Sequence, residues 1–271
     1  MGADIKALKN RIKSVDSSLH LTKAMGLVAS SKIRRANDEM RRSRQYLKAV
    51  ENVMDELCSD SGCQKDIFLQ KNEGRRIRLI VIAGDRGMAG GYNSNIVRLS
   101  KEYPDAEIIP LGRRICDRVG SDQVSSETFT YDQARSLAEK LCADFAKGEY
   151  DMLGIICTKY VSMMVQEAQM LKVLPLEAKE GKKNTSMVFE PSAVRVLKEA
   201  IPEYVTAKII AAVRESFASE VAARRMAMDS AEKNAQQMID NLELEYNSAR
   251  QAMITQEITE IVAGSGKRRR R

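Results

Sequence analysis

From Ile5 to Leu57 one apolar seam repeats at alternating steps of three and four residues. Its positions are Ile5, Leu8, Ile12, Val15, Leu19, Thr22, Gly26, Ala29, Ile33, Ala36, Met40, Ser43, Leu47, Val50, Met54 and Leu57. A heptad pattern held this long describes a helix packed along its length against another helix. The first proline is Pro104, so nothing in the run forces a kink. At about 1.5 Å per residue the helix would span roughly 80 Å, more than a compact domain uses. Small residues (Thr22, Gly26, Ala29, Ala36, Ser43) line its middle and let a partner approach closely. Gly26 costs the helix about 1 kcal/mol relative to Ala and needs a packing or functional reason.

Charge is uneven along the chain. Residues 1–50 hold 12 Lys+Arg against 4 Asp+Glu, out of 44 and 37 in all, so the first helix carries the whole basic excess of a +7 chain. A basic rod points to an acidic or anionic neighbour, with a merely solvated helix surface as the alternative. Few aromatics, no Trp and many Met suit long helices better than a β-rich core. The cysteines (58, 63, 116, 142, 157) are odd in number and scattered, as in reduced cytosolic thiols. Cys58 and Cys63 could form a local disulfide or half a metal site, but with one histidine and no second cysteine pair no metal is expected. No apolar run approaches the ~18 residues that cross a bilayer. The N-terminus lacks a signal-peptide core and reads as mature structure.

The middle of the chain changes character. Ser59–Gly62 ends the first helix, and the segment to Gly74 reads as a connector. Strands are expected at Ile77–Ala83, Ala106–Leu111, Met152–Thr158 and Gln166–Leu176, with helices at Asn93–Lys101, Arg113–Val119 and Tyr131–Lys147. Their alternation implies a small parallel sheet with helices on its faces. The turn Gly84–Gly91 has four glycines but neither the Gly-Lys-Ser/Thr of a phosphate loop nor a Gly-x-Gly-x-x-Gly spacing, so it reads as tight backbone geometry and not as a nucleotide site.

From about Pro191 the chain is helical again, and Pro202–Val262 would make a helix of roughly 90 Å. Its seam reads Phe217, Val221, Arg224, Met228, Ala231, Ala235, Met238, Leu242, Tyr246, Ala249 and Met253, with a stutter at Leu242 where two four-residue steps meet. Arg224 stands where an apolar residue is expected. It either snorkels along the partner with its head in water or makes a functional contact. Ala263–Gly266 would end the helix, leaving a basic tail. The expected fold is a long antiparallel coiled coil of the two terminal helices with an inserted small, Rossmann-like α/β domain. Its segments are 1–58 (first helix), 59–190 (connector and α/β domain), 191–264 (second helix) and 265–271 (tail).

Several stretches are recognisable: LTKAMGLVASSKIRRA (Leu21–Ala36), GDRGMAGGYNSNI (Gly84–Ile96), ASEVAARRMAMDSAEKNAQQMI (Ala218–Ile239) and YNSARQAMITQEITEIVAG (Tyr246–Gly264). In this order, and over essentially the whole length, the chain resembles the γ subunit of bacterial F-type ATP synthases. The resemblance implies a rotor shaft inside an α3β3 hexamer, touching mainly the β subunits. It would also touch the ε subunit and the membrane ring of c subunits. It implies a non-catalytic role without cofactor or metal, coupling proton or sodium flow to ATP synthesis or hydrolysis by rotation. The place implied is peripheral, on the cytoplasmic face of the bacterial plasma membrane, with membrane association only through the c-ring. Lys23 and Met25 fall where the family's shaft faces acidic loops of β. Arg224, Arg250, Gln251, Thr255 and Glu257 fall where polar shaft residues meet those loops and the upper bearing. Gly26, Ala89 and Arg225 depart from the family's usual residues, and the tail beyond Gly264 exceeds most members.

Two other function classes stand beside this one. A basic coiled coil could bind nucleic acid, but in zipper proteins the basic region and the seam are separate segments, whereas here they overlap. An enzyme has least support: the single histidine, His20, sits at a solvent-facing heptad position, and there is no nucleophile motif or metal cluster.

Overall fold

The computed structural model describes residues 2–70, 74, 76–177 and 187–268. In chain order the elements are α1 (Gly2–Ser59), β1 (Ile77–Ile82), α2 (Tyr92–Ser100), β2 (Glu107–Leu111), α3 (Arg113–Val119), α4 (Tyr131–Ala146), β3 (Met152–Tyr160), β4 (Gln166–Leu174) and α5 (Ala193–Arg268). They fall into two compact units: residues 1–28 with 227–271, and residues 29–226.

The unit of residues 29–226 is built on a four-stranded sheet of order β2-β1-β3-β4. β1 pairs in parallel with both β2 and β3, as the alternation of strands and helices implies. β4 corrects the all-parallel expectation, because it runs antiparallel to β3 with Tyr160 opposite Gln166. Only five residues separate the two strands. A parallel return needs a crossover of a dozen or more.

The pleat sorts β1 between two cores. Ile80 and Ile82 face one that includes Ile155, Leu141, Phe145 and a row on α5 (Leu197, Ile201, Val205, Ile209). Leu79 and Val81 face the other, with Ile96 of α2 and Ile115 of α3. These four of the six β1 residues are fully buried, so the near-continuous β-branched run is a strand covered on both faces. α4 begins with a reciprocal capping box, in which the Thr130 side chain accepts from the Gln133 backbone and Gln133 reaches back to Thr130. Gly112, between β2 and α3, has φ +102°, and a Cβ there would lie 1.9 Å from the Ala83 carbonyl oxygen.

The first helix follows its seam closely. All sixteen heptad positions from Ile5 to Leu57 are buried or half-buried. The second helix departs in three places. Pro202 lies inside α5 instead of opening it. An internal proline costs about 3 kcal/mol, and the preceding turns offset this by fully burying Leu197 and Ile201. The seam passes through Ile239 (7% exposed) and leaves Met238 outside at 45%, which moves the stutter up to Ala235. Adjacent apolar residues satisfy either register, and the sequence pattern alone does not choose between them. The helix also runs through Gly264 and Gly266 to Arg268, since a glycine weakens a helix by only about 1 kcal/mol. Of the basic tail, residues 269–271 lie outside the described residues.

Ion pairs record how α1 and α5 align within each unit. In residues 29–226, Glu39 faces Arg214 at 3.7 Å, Arg44 meets Glu215 at 2.7 Å and Glu51 meets Lys208 at 2.5 Å. In the other unit Lys23 lies 3.9 Å from Glu232. The register of α5 is testable: Ile239→Ala should destabilise the chain by about 2–4 kcal/mol in urea unfolding, and Met238→Ala by under ~1 kcal/mol. The reverse order would restore the register through Met238.

Candidate interaction surface

The glycine-rich turn after β1 is held from below by side chains of α5. Glu220, 3% exposed, presses its carboxylate beneath Gly84, where a Cβ would lie within 2.7 Å of the carboxyl carbon. One turn further along, Arg224 donates to Glu220 Oε1 at 2.5 Å and to the carbonyls of Gly87 and Arg86, each at 3.3 Å. Asn93 closes the turn from the other side. Its Oδ1 accepts from the Gly84 N–H (2.9 Å) and its Nδ2 donates to the Arg86 carbonyl (3.2 Å). Gly84 and Gly87 thus serve backbone docking and Gly90 supplies a left-handed backbone at φ 56°, in line with the tight-geometry reading.

Asp85 ties the same turn to the segment before α4. Its carboxylate accepts from the backbone N–H of Arg113 (3.1 Å), Ser126 (3.0 Å) and Glu127 (3.0 Å) and from the Ser125 hydroxyl (2.6 Å). Burial pushes the Asp85 carboxyl up, but these bonds outweigh it and hold the group below its ordinary range. Glu220 goes the other way: burial raises it, and the Arg224 cation only partly offsets this. Lys32 of α1 reaches Glu127 at 2.5 Å, so α1 joins the same network.

Beside the turn, α5 also caps the end of β3. The Thr158 N–H donates to Ser216 Oγ (3.0 Å), and Ser219 Oγ donates to the Thr158 carbonyl (3.3 Å). Tyr160 N–H donates to Glu215 (3.0 Å), and Arg44 bridges Glu215 and the Tyr160 carbonyl. Tyr92 donates its hydroxyl proton to the Ser216 carbonyl at 3.0 Å. Motif reading passed over Glu220, Ser216 and Ser219. Their signal was a polar group at positions i, i+3 and i+4 inside an otherwise apolar helix face, and a glutamate four residues before Arg224.

The expected contact residues divide between the units. Lys23 is exposed and Met25 half-buried on α1, while Arg250, Gln251, Thr255 and Glu257 are all exposed on α5. Thr255 turns its hydroxyl back to the Gln251 carbonyl (2.9 Å). Arg224 belongs to the sheet-bearing unit and stands apart from these in its surroundings. Its side chain is 12% exposed and its head is bonded within the chain, so it does not snorkel into water. All five cysteines are buried, and burial pushes the Cys142 and Cys157 thiols up to about 12. Among the described residues no group of three or more His, Cys, Asp or Glu could hold a metal, and no helix is long and apolar enough to cross a membrane.

Each unit pairs a part of α1 with a part of α5, the unit of residues 29–226 also carries the mixed sheet, and comparison with known proteins gives the chain a family. A family model described as ATP synthase matches residues 4–266. The ATP synthase gamma chain of Ruminococcus albus is 40% identical, covering 97% of this chain and 98% of its own. The sodium ion specific gamma chain of Acetobacterium woodii is 37% identical, covering 98% and 99%. In structure, a chain of the rotor of Euglena gracilis mitochondrial ATP synthase superposes with a TM-score of 0.71 at 18% identity, over 94% of this chain and 100% of that one. The chain therefore belongs to the ATP synthase gamma chain family. The nucleic-acid reading drawn from the basic helix gains nothing from these likenesses.

Asp85 yields a prediction with a definite sign. A carboxylate held below its unfolded value stabilises the fold above about pH 4 and loses that contribution as pH falls through the folded value. Asp85→Asn should cost about 2–3 kcal/mol at pH 7, and the gap to wild type should close in acid unfolding below pH ~4. A gap independent of pH would show that the charge of Asp85 is not what matters.

Proposed function

We propose that this chain is the central rotor shaft of an F-type ATP synthase, turning inside an α3β3 hexamer and coupling ion flow through a membrane ring to ATP synthesis or hydrolysis. In this reading it performs no nucleotide chemistry itself. Its partners are the α3β3 hexamer (the β subunits above all), the ε subunit and the c-ring. It is peripheral, on the cytoplasmic face of a bacterial plasma membrane, and reaches the membrane only through the ring.

The observation that carries this reading is the match over nearly the whole length to bacterial ATP synthase gamma chains. The surface of the 1–28/227–271 unit supports it. Leu21, Leu27 and Val28 on α1 are exposed, as are Leu244, Ile254, Ile258, Ile261 and Val262 on α5, and the last four recur at helical spacing. Apolar side chains left out of a helix pair in such number call for a surrounding protein. Lys23, Arg250, Gln251, Thr255 and Glu257 stand among them as polar contacts for partner loops. Lys23 carries only a loose, exposed pair at 3.9 Å, worth under ~1 kcal/mol, and so is easily redirected.

The test is Mg-ATP hydrolysis by purified α and β subunits with and without this chain. The chain alone should be inert and should switch on steady turnover of an assembled complex. Failure to assemble with α and β, or ATPase activity of the pure chain, would contradict the reading.

A further inference from the structure

Arg224 cannot easily serve both its own chain and a partner. Its Nε and Nη2 donors are taken by Gly87, Arg86 and Glu220, and its side chain is 12% exposed. A partner carboxylate that captured the guanidinium would break these bonds and strand Glu220, itself 3% exposed, as a buried charge without its counterion. The turn above it is built the opposite way. Residues 84 to 89 alternate, with Gly84 and Ala89 buried and Arg86 and Met88 exposed. Met88 is 62% exposed. Its backbone sits at φ 59°, a conformation rare outside glycine that persists only where the surroundings impose it. Arg86 makes no ion pair among the described residues, and its carbonyl is fastened by both Arg224 and Asn93.

We propose that Arg224, with Glu220, is a positioning residue: it pins the turn so that Arg86 and Met88 present a cation beside a soft apolar side chain to a partner surface carrying a carboxylate next to apolar groups. The contact belongs to the turn, and Arg224 acts through it. This rests on the assembly reading above and replaces the direct contact that the resemblance implies for Arg224.

A double-mutant cycle in the assembled complex separates the two roles. Affinity of the full chain for α and β subunits is measured for R86A/M88A, for R224A and for the triple variant, with thermal unfolding of each free chain as control. R86A/M88A alters only exposed side chains and should keep the wild-type midpoint while weakening assembly about tenfold. R224A should weaken assembly to a similar degree, and the triple variant should be no worse than either parent. If R224A does not fold, R224Q takes its place in the cycle. Losses that multiply in the triple variant would mean that Arg224 touches the partner itself. Wild-type affinity in R86A/M88A would remove the turn from the interface. Either result overturns the proposal and leaves the shaft reading intact, whereas a wild-type chain that does not assemble with α and β would overturn both.

Discussion

One face of α5 organises the unit of residues 29–226, and it changes chemistry along its length. Leu197, Ile201, Val205, Ile209 and Val213 are fully buried and pack in the same core as Ile80, Ile82 and Ile155 of the sheet. Continuing in steps of three and four, the face becomes Ser216, Glu220 and Arg224, with Ser219 beside them. The switch has a physical cause. A sheet face offers apolar side chains, whereas the ends of β1 and β3 and the turn after β1 offer backbone N–H and C=O groups that need partners once buried. Ser216 and Ser219 satisfy Thr158, Glu215 satisfies Tyr160, and Arg224 satisfies Arg86 and Gly87.

That stripe makes the glycine-rich turn a docked element. Gly84 lies where any side chain would collide with Glu220, and the turn's carbonyls are taken by Arg224. Two carboxylates, the half-buried Asp85 and the buried Glu220, lie close together here and are treated differently. Asp85 accepts from four donors and is held below its ordinary range, while Glu220, which pairs with Arg224 and accepts from the Arg86 backbone, is pushed upward by burial. Losing Arg224 therefore removes the counterion that a buried carboxylate has among the described residues, and such losses are costly.

Much of the fold was legible because it rests on period. The heptad seam of α1 and the strand–helix alternation of the middle are repeated signals, and each survives a local misreading. What escaped detection was set by tertiary choice. The direction of β4 followed from the length of its connection. Met238 and Ile239 are interchangeable to a pattern but not to a packed helix pair. Pro202 was outweighed by the core on either side of it. The surface was legible in a different way. Resemblance pointed to Lys23, Arg224, Arg250, Gln251, Thr255 and Glu257, but it could not say that Arg224 faces inward, because that depends on Glu220 and on a turn more than a hundred residues away.

A shaft of this kind turns within its complex, and rotation is the direct observable. Its native cysteines are all buried, so a single surface cysteine introduced at the exposed Lys101 of the sheet-bearing unit gives a selective attachment point for a bead. With α3β3 immobilised and Mg-ATP supplied, the bead should rotate in one direction and stop when ATP is withdrawn. Sustained hydrolysis with the bead stationary would contradict the account.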